Sequence, residues 1–237
     1  AAIFPGAAVV RMDRDTTSKK GAVKSIISAV EERRADVLIG TQMVSKGHHF
    51  PGIVLVGIIS GDTSLGIPDF RSAERTFHLV TQAAGRAGRG DVPGRVVIQT
   101  LSPDHYVFKN ALTHDYDGFY EDEIAMRKEV FYPPFSRLAA IRVEGGKEDA
   151  VMRAAFDIKT ASEILLKRHV GDIIVLGPAP ALISKVKGRF RWQLLVKGDS
   201  KDIKGMHAFV SRLKPAFDSK KHGGVSMTVD MDPISVV

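Results

Sequence analysis

Cysteine is absent from these 237 residues. That removes disulfides and thiolate zinc sites from consideration and fits a reducing compartment such as the cytoplasm. No apolar run approaches the ~18 residues that a membrane span needs. The opening Ala1-Ala2-Ile3-Phe4-Pro5-Gly6 has neither the basic nor the apolar region of a signal peptide, and it does not start with methionine. It reads as a cut through a longer chain. A phosphate-binding G-x-x-x-x-G-K-[ST] loop is missing as well: Gly145-Gly146-Lys147 is followed by Glu148 and lacks the earlier glycine. Asp122-Glu123-Ile124-Ala125 has the letters of a Mg²⁺-binding acidic box. It follows no apolar strand, however, and sits in a charged helical run, so it reads as solvated surface. Tryptophan occurs once, at Trp192.

What is present is a soluble-type composition, 44% hydrophobic and 26% charged, with a net charge of +7. Residues 1–134 hold 16 basic and 16 acidic side chains, while residues 135–237 hold 18 and 11. A neutral part followed by a basic part predicts two domains, 1–134 and 135–237, the second facing an anionic partner.

The first part alternates strand, helix, strand, strand, helix, strand. Strands are expected near Val9, over Asp36–Gly40, Ile53–Ile59 and Gly94–Thr100. Helices are expected over Lys19–Arg34, capped from Asp15-Thr16-Thr17-Ser18 with Val23, Ile26, Ile27 and Val30 as the buried stripe, and over Arg71–Ala84. The simplest architecture is α/β, one parallel sheet covered by helices, with ligands at the carboxyl ends of its strands. Polar loops follow two of those strands. In the first, Thr41 and Gln42 can cap a short helix, Lys46 is a cation, and Gly47 permits close backbone approach. His48 and His49 are adjacent and cannot both face one metal as i, i+4 ligands do. In the second, Asp62 reads as a cap rather than a catalyst, and Asp69 as a helix N-cap.

The most informative stretch is Thr81-Gln82-Ala83-Ala84-Gly85-Arg86-Ala87-Gly88-Arg89-Gly90, with the pattern Q-x-x-G-R-x-G-R. Two arginines, each after a glycine, stand at the end of a helical run. A guanidinium offers a planar fork of donors matched to phosphate oxygens, and a preceding glycine lets phosphate approach the backbone. Such a pair can neutralise charge on a transferring γ-phosphoryl group. The alternative is a glycine-broken helix end whose cations offset the helix dipole.

Asp104–Lys128 reads as two helices, with Val107, Ala111, Leu112, Tyr116, Phe119 and Tyr120 as buried contacts. Pro133-Pro134 then makes a stiff stop. Beyond it the order is βαββαβ, a ferredoxin-like α+β arrangement whose two helices leave one sheet face free. Basic density peaks at Lys185, Lys187, Arg189 and Arg191. In one continuous strand these would share a face, whereas a hairpin turn at Gly188 would split them. Cations interleaved with Phe190 and Trp192 suit single-stranded nucleic acid; a solvated strand edge guarded by lysines is the alternative.

Gly40-Thr41-Gln42 through Lys46-Gly47-His48-His49-Phe50-Pro51, then Pro68-Asp69-Phe70-Arg71, then Gln82 through Arg89, resemble motifs V and VI of superfamily 2 helicases. Tyr132-Pro133-Pro134-Phe135, Gly177-Pro178-Ala179-Pro180, Gly188–Gln193 and Val229–Pro233 extend the resemblance to the PriA (primosomal protein N′) family of replication-restart helicases, across essentially the whole chain. The resemblance implies the second RecA-like lobe followed by a C-terminal domain, from an ATP- and Mg²⁺-dependent 3′-to-5′ DNA helicase of the cytoplasm and nucleoid. The first lobe and the family's zinc module are not in this sequence, so zinc belongs to the parent only, and the fragment alone is expected to be inactive. It implies Arg86 and Arg89 at the γ-phosphate, with Gln82, Gly85 and Gly47 beside the nucleotide. Thr41, Gln42 and Lys46 are implied on the DNA backbone, with Lys185, Lys187 and Arg191 as further DNA contacts. Arg189, Trp192 and Gln193 are implied on the acidic tail of single-stranded DNA-binding protein. His49 stands where many relatives outside the family carry an acid. Partners implied are single-stranded and forked DNA, that tail, and other primosome proteins. The reading kept beside it is a non-catalytic module that binds single-stranded DNA or a protein tail.

Overall fold

The computed structural model describes residues 4–41, 44, 50, 52–88, 93–169, 171–220 and 222–236. Among these it is a mixed α/β protein with two parallel two-stranded sheets and one antiparallel four-stranded sheet. The chain divides into two compact units, residues 1–67 with 72–120 and residues 68–71 with 121–237. The expected boundary at 134/135 falls inside the second.

The first unit opens with β1 (Val9–Met12), α1 (Ala22–Glu31) and β2 (Val37–Gly40), the two strands pairing in parallel. β3 (Leu55–Ile58) and β4 (Arg95–Ile98) form a second parallel pair, joined through a 3₁₀ turn at Gly61–Thr63 and α2 (Ser72–Ala84). The single parallel sheet expected from the alternation is therefore two separate pairs among the described residues. Strand residues expected to be buried are correspondingly open, with Ile39, Leu55 and Val97 all exposed. The expected stripe on α1 is only half-buried for the same reason. The core of this unit lies instead on α2, α3 (Tyr106–Leu112) and the start of α4 (Tyr116–Glu129), where Phe77, Val80, Val107, Phe108, Ala111 and Phe119 cluster. Phe77 and Phe119 stack with centroids 4.1 Å apart. Leu112, Tyr116 and Tyr120, expected in that core, are exposed.

Local side-chain chemistry explains where α1 begins. Asp13 accepts from the Thr16 amide at 2.9 Å, Thr17 donates to the Asp13 carbonyl at 2.6 Å, and Ser18 donates to the Asp15 carbonyl at 2.9 Å. These short polar side chains close a turn on their own backbone rather than capping a helix. The Thr16 amide, followed by Arg11, holds the Asp13 carboxyl at about 2. Past β3, Asp62 accepts from the Thr100 hydroxyl at 2.6 Å and the Leu101 amide at 2.8 Å, tying the turn after β3 to the chain leaving β4.

The second unit contains β5 (Ser136–Gly145), α5 (Glu148–Leu166), β6 (Ile173–Val186), β7 (Arg189–Asp199), α6 (Ile203–Asp218) and β8 (Ser226–Met231), in the order βαββαβ. Its sheet runs β6-β7-β5-β8, with every neighbour antiparallel. Ile141, Val143, Leu194 and Val196 pack with Ala154, Ile158, Phe209 and Leu213 of α5 and α6 in one core. β6 runs for 14 residues, through pairing irregularities at Leu176/Ala179 and Pro180/Lys185.

The opposite face is covered at one end. Lys197 is only 6% exposed, donates to the Val130 carbonyl at 2.9 Å, and lies 3.5 Å from the Tyr132 ring centroid. Burial lowers its pKa and is also the main cause that raises that of Tyr132. Phe70 stacks on Tyr132 at 5.5 Å, and Arg71 and Arg127 lie over Phe70 at 4.8 and 5.4 Å. Arg127 also pairs with Glu123 at 2.7 Å. Glu123 is thus buried rather than solvated: the i, i+4 spacing gave it a cationic partner beneath an aromatic cover. Asp69 accepts from the Arg71 amide at 2.9 Å, the Ser235 hydroxyl at 2.7 Å and the Val236 amide at 3.3 Å, while Arg71 donates to the Ile234 carbonyl at 2.7 Å.

Two outcomes follow from these contacts. The hydrogen bond from Thr100, then that from Leu101, lowers the Asp62 pKa. A depressed carboxylate contributes its stability above its unfolded pKa of about 3.9 and loses it as pH falls through the lower folded value. The melting temperature of the native chain should fall more steeply below about pH 4 than that of Asp62→Asn; parallel calorimetric curves would refute this. Lys197→Ala, which strips Val130 of its donor and Tyr132 of its cation, should cost roughly 2–3 kcal/mol in urea unfolding. A cost below about 0.5 kcal/mol would show the contact is incidental.

Candidate functional site

Two regions carry the predicted functional side chains, one in each unit. In the first unit, α2 delivers the Gly–Arg segment. Its last turn closes with the Gly85 amide on the Thr81 carbonyl at 2.9 Å and the Arg86 amide on the Ala83 carbonyl at 3.1 Å. Gly88 then takes a left-handed φ of 76° and donates to the Ile53 carbonyl at 3.0 Å. A side chain at Gly88 would meet the Gly94 nitrogen at 2.7 Å, so the chain passes itself here at a distance only glycine permits. Gln82 is exposed and Arg86 half-buried.

This places Arg86 beside the amino ends of β3 and β4, where Ile53 and Gly94 lie, and not at the carboxyl edge expected for ligands. Topology requires it. A helix that leaves the carboxyl end of one parallel strand to enter the amino end of the next must finish at the amino edge. At the carboxyl side, Gly40 approaches Met12 so closely that a side chain would meet its carbonyl oxygen at 2.6 Å, and Thr41 follows, exposed. Gln42, Lys46, Gly47, His48, His49, Pro51 and Arg89 lie outside the described residues.

In the second unit the hairpin alternative is the one realised. Lys187 and Gly188 both have positive φ, 49° and 79°, and Val186 pairs with Arg189 across them. This is a two-residue turn whose twist matches the strands it joins. It splits the four cations. Lys185, on β6, pairs with Phe190 and lies 4.4 Å from its ring centroid, and Lys187 is exposed at the turn. Arg189 and Arg191 face the other way. Because Ile141, Val143, Leu194 and Val196 point into the helical core, the alternate residues Arg142, Glu144, Arg189, Arg191 and Gln193 occupy the opposite face. Trp192 belongs to the helix side, 6.1 Å from Phe156 of α5. It does not share a face with Arg189 and Gln193; of the four cations, Lys185 is the one on the aromatic side, over Phe190.

Glu144 organises this opposite face. It pairs across the sheet with both Arg191 and Ser226. Its two carboxylate oxygens lie 3.3 Å from the Nε atoms of Arg189 and Arg191, and Arg189 also donates to the Glu144 carbonyl and the Ser226 hydroxyl at 3.1 Å each. One acid thus holds two guanidinium groups in place and leaves net positive charge. Gln193 pairs with Arg142 in the next row. Sequence reasoning missed Arg142, Glu144 and Ser226, since only the register across three strands brings Glu144 and Ser226 to Arg189 and Arg142 to Gln193. Chemically, the face offers fixed forked donors and an amide, suited to carboxylate or phosphate oxygens.

Residues 128–234 match the model of the primosomal protein N C-terminal domain. Over nearly the whole chain, three curated relatives named replication restart protein PriA align well. That of Bacillus subtilis is 42% identical over 234 residues, covering 98% of this chain and 28% of the relative. Those of Synechocystis and Haemophilus influenzae are 40% and 35% identical, covering 98% of this chain in each case and 27% and 31% of the relatives. The chain therefore spans under a third of the length of these relatives. With the sheet of the second unit lying inside the matched range and the Gly–Arg segment inside the aligned one, the chain belongs, as a C-terminal portion, to the PriA family of replication restart proteins.

Proposed function

We propose that this chain is the C-terminal part of an ATP-dependent 3′-to-5′ DNA helicase that restarts stalled replication. It comprises the later portion of a second RecA-like lobe and a ferredoxin-like domain. The observation that carries the reading is the Q-x-x-G-R-x-G-R sequence, whose Gln82–Gly88 part closes α2, in a chain 35–42% identical over 98% of its length to replication restart proteins. ATP with Mg²⁺ is the proposed substrate. The chain has no P-loop, so it would supply one wall of the site only. Arg86 and Arg89 neutralise charge on the γ-phosphoryl group, Gln82 orients them, and Gly85 and Gly47 keep the backbone close to the nucleotide. Thr41, Gln42 and Lys46 hold the DNA backbone, where contacts position without reading sequence. Zinc is assigned to the parent protein only, since this chain has no cysteine for a thiolate site. Cytoplasm and nucleoid are the compartments this activity calls for.

The Glu144-braced face supports a second role that needs no chemistry. Arg189, with Gln193 and Arg142 further along the same face, is set to receive acidic groups, either the tail of single-stranded DNA-binding protein or a DNA backbone. Lys185, Lys187 and Arg191 add charge along the hairpin. Other primosome proteins are further proposed partners.

In the parent protein, Arg86→Ala should lower ATP turnover by about 10³-fold or more while nucleotide affinity stays within a few-fold. Turnover near normal would refute the arginine-finger role. Arg189→Glu should weaken binding of an acidic peptide or single-stranded DNA by about tenfold and, for DNA, reduce the salt slope by about one. Unchanged isotherms from a chain with a native circular dichroism spectrum would exclude that face.

A further inference from the structure

β6 and β8 are the outer strands of the second unit's sheet, and they are built differently. β6 contains Pro178 and Pro180, slips register twice, and ends beside Lys185 and Lys187. These are the devices that stop an edge from pairing with another chain. β8 reads Ser226-Met227-Thr228-Val229-Asp230-Met231, without proline or lysine, and keeps an unbroken register on β5 from Met231 to Ser226. The Asp232 amide donates to the Leu138 carbonyl at 2.8 Å. In an antiparallel ladder the inward-bonded residues alternate, so Ser226, Thr228 and Asp230 turn their backbone groups toward β5. Met227, Val229 and Met231 turn theirs to the open edge.

The side chains of those same three residues line a groove of about 360 Å³ against α6. Its other wall is His207, Val210, Ser211 and Lys214, one stripe of the helix at i, i+3, i+4 and i+7 spacing. An open strand edge beside an apolar groove is the geometry that accepts an added strand: backbone bonds supply affinity, and alternate side chains enter the groove. Charge identifies the occupant. The lining carries a lysine and a histidine and no carboxylate. Of the nearby acids, Asp230 lies on the opposite face, Asp232 pairs with Arg137 and also faces His207, and Asp218 makes an exposed pair with Lys214 one turn along the helix. An exposed pair of that kind is worth little and exchanges readily for another carboxylate.

The geometry points to an extended acidic–apolar segment of a partner protein that adds as a strand along β8. Its apolar side chains sit between β8 and α6, and its carboxylates lie against Lys214. This surface is separate from the Glu144–Arg189 face, so the two readings fail independently.

The test is an NMR titration of the ¹⁵N-labelled chain with an acetylated octapeptide alternating valine and glutamate. Shifts should centre on Met227, Val229, Met231 and the 207–214 stripe. Val229→Pro removes one outward N–H without touching the β5 ladder and should weaken binding about tenfold, as should Lys214→Glu. Thr228→Val, whose side chain lies on the opposite face and whose N–H stays on the β5 ladder, should bind as the native chain does. The proposal is overturned by any of four results. These are absence of shifts up to about 1 mM peptide, shifts confined to the Glu144–Arg189 face, equal binding of a valine–lysine octapeptide, or sedimentation showing that β8 pairs with β8 of a second copy.

Discussion

The two-residue period of the antiparallel sheet, pinned by one tight turn, is the constraint on which the functional surfaces of the second unit depend. Lys187-Gly188 sets Val186 opposite Arg189, and from that single registration every neighbour on β7 acquires its side of the sheet. A slip of one residue would send Arg189, Arg191 and Gln193 into the helical core and turn Leu194 and Val196 out to water. The core hydrophobics and the surface guanidinium groups are thus specified together. The apolar side chains choose the register, and the polar ones inherit their positions from it.

The balance of charge on the exposed face follows the same logic. Two guanidinium groups two residues apart on one strand repel each other unless something stands between them. Glu144, delivered by the neighbouring strand, does so at 3.3 Å from each Nε. At the covered end, Lys197 resolves its charge with a carbonyl and an aromatic ring rather than an acid. A lysine so enclosed is tolerated because both of these partners are themselves held by the Val130–Phe135 segment.

Much of this was legible in the amino-acid order, and the failures have physical causes. Element types followed from periodicity and from glycine and proline. The βαββαβ order of the second unit needed only alternation between period 2 and period 3.6. Boundaries failed where polar side chains had a local alternative, as at Asp13–Ser18, whose oxygens close a turn instead of opening a helix. Burial failed at Glu123, whose partner is an i+4 arginine under an aromatic ring contributed from residue 70. Parity left Lys185, Lys187, Arg189 and Arg191 either on one face or split by a turn at Gly188, and two positive φ values there decide for the split. Trp192 was grouped with the cations by adjacency, although adjacent strand residues point to opposite faces. For Arg86, strand order dictates the amino edge, so the usual guide to ligand sites in parallel sheets does not apply to a residue carried on a helix end.

The link between Asp69 and the segment around Ser235 has a consequence for the timing of synthesis. The two residues are separated by 166 positions, and Asp69 is 7% exposed once folded. At translation speeds of about 5–20 residues per second, Asp69 leaves the ribosome roughly 8–33 s before the hydroxyl and amide that will bond it. Until then its carboxylate lacks the Ser235 and Val236 donors, although Phe70 beside it can already stack on Tyr132. Closure of this link therefore waits for Ser235 and Val236, and the lag offers nascent-chain chaperones an interval in which to act.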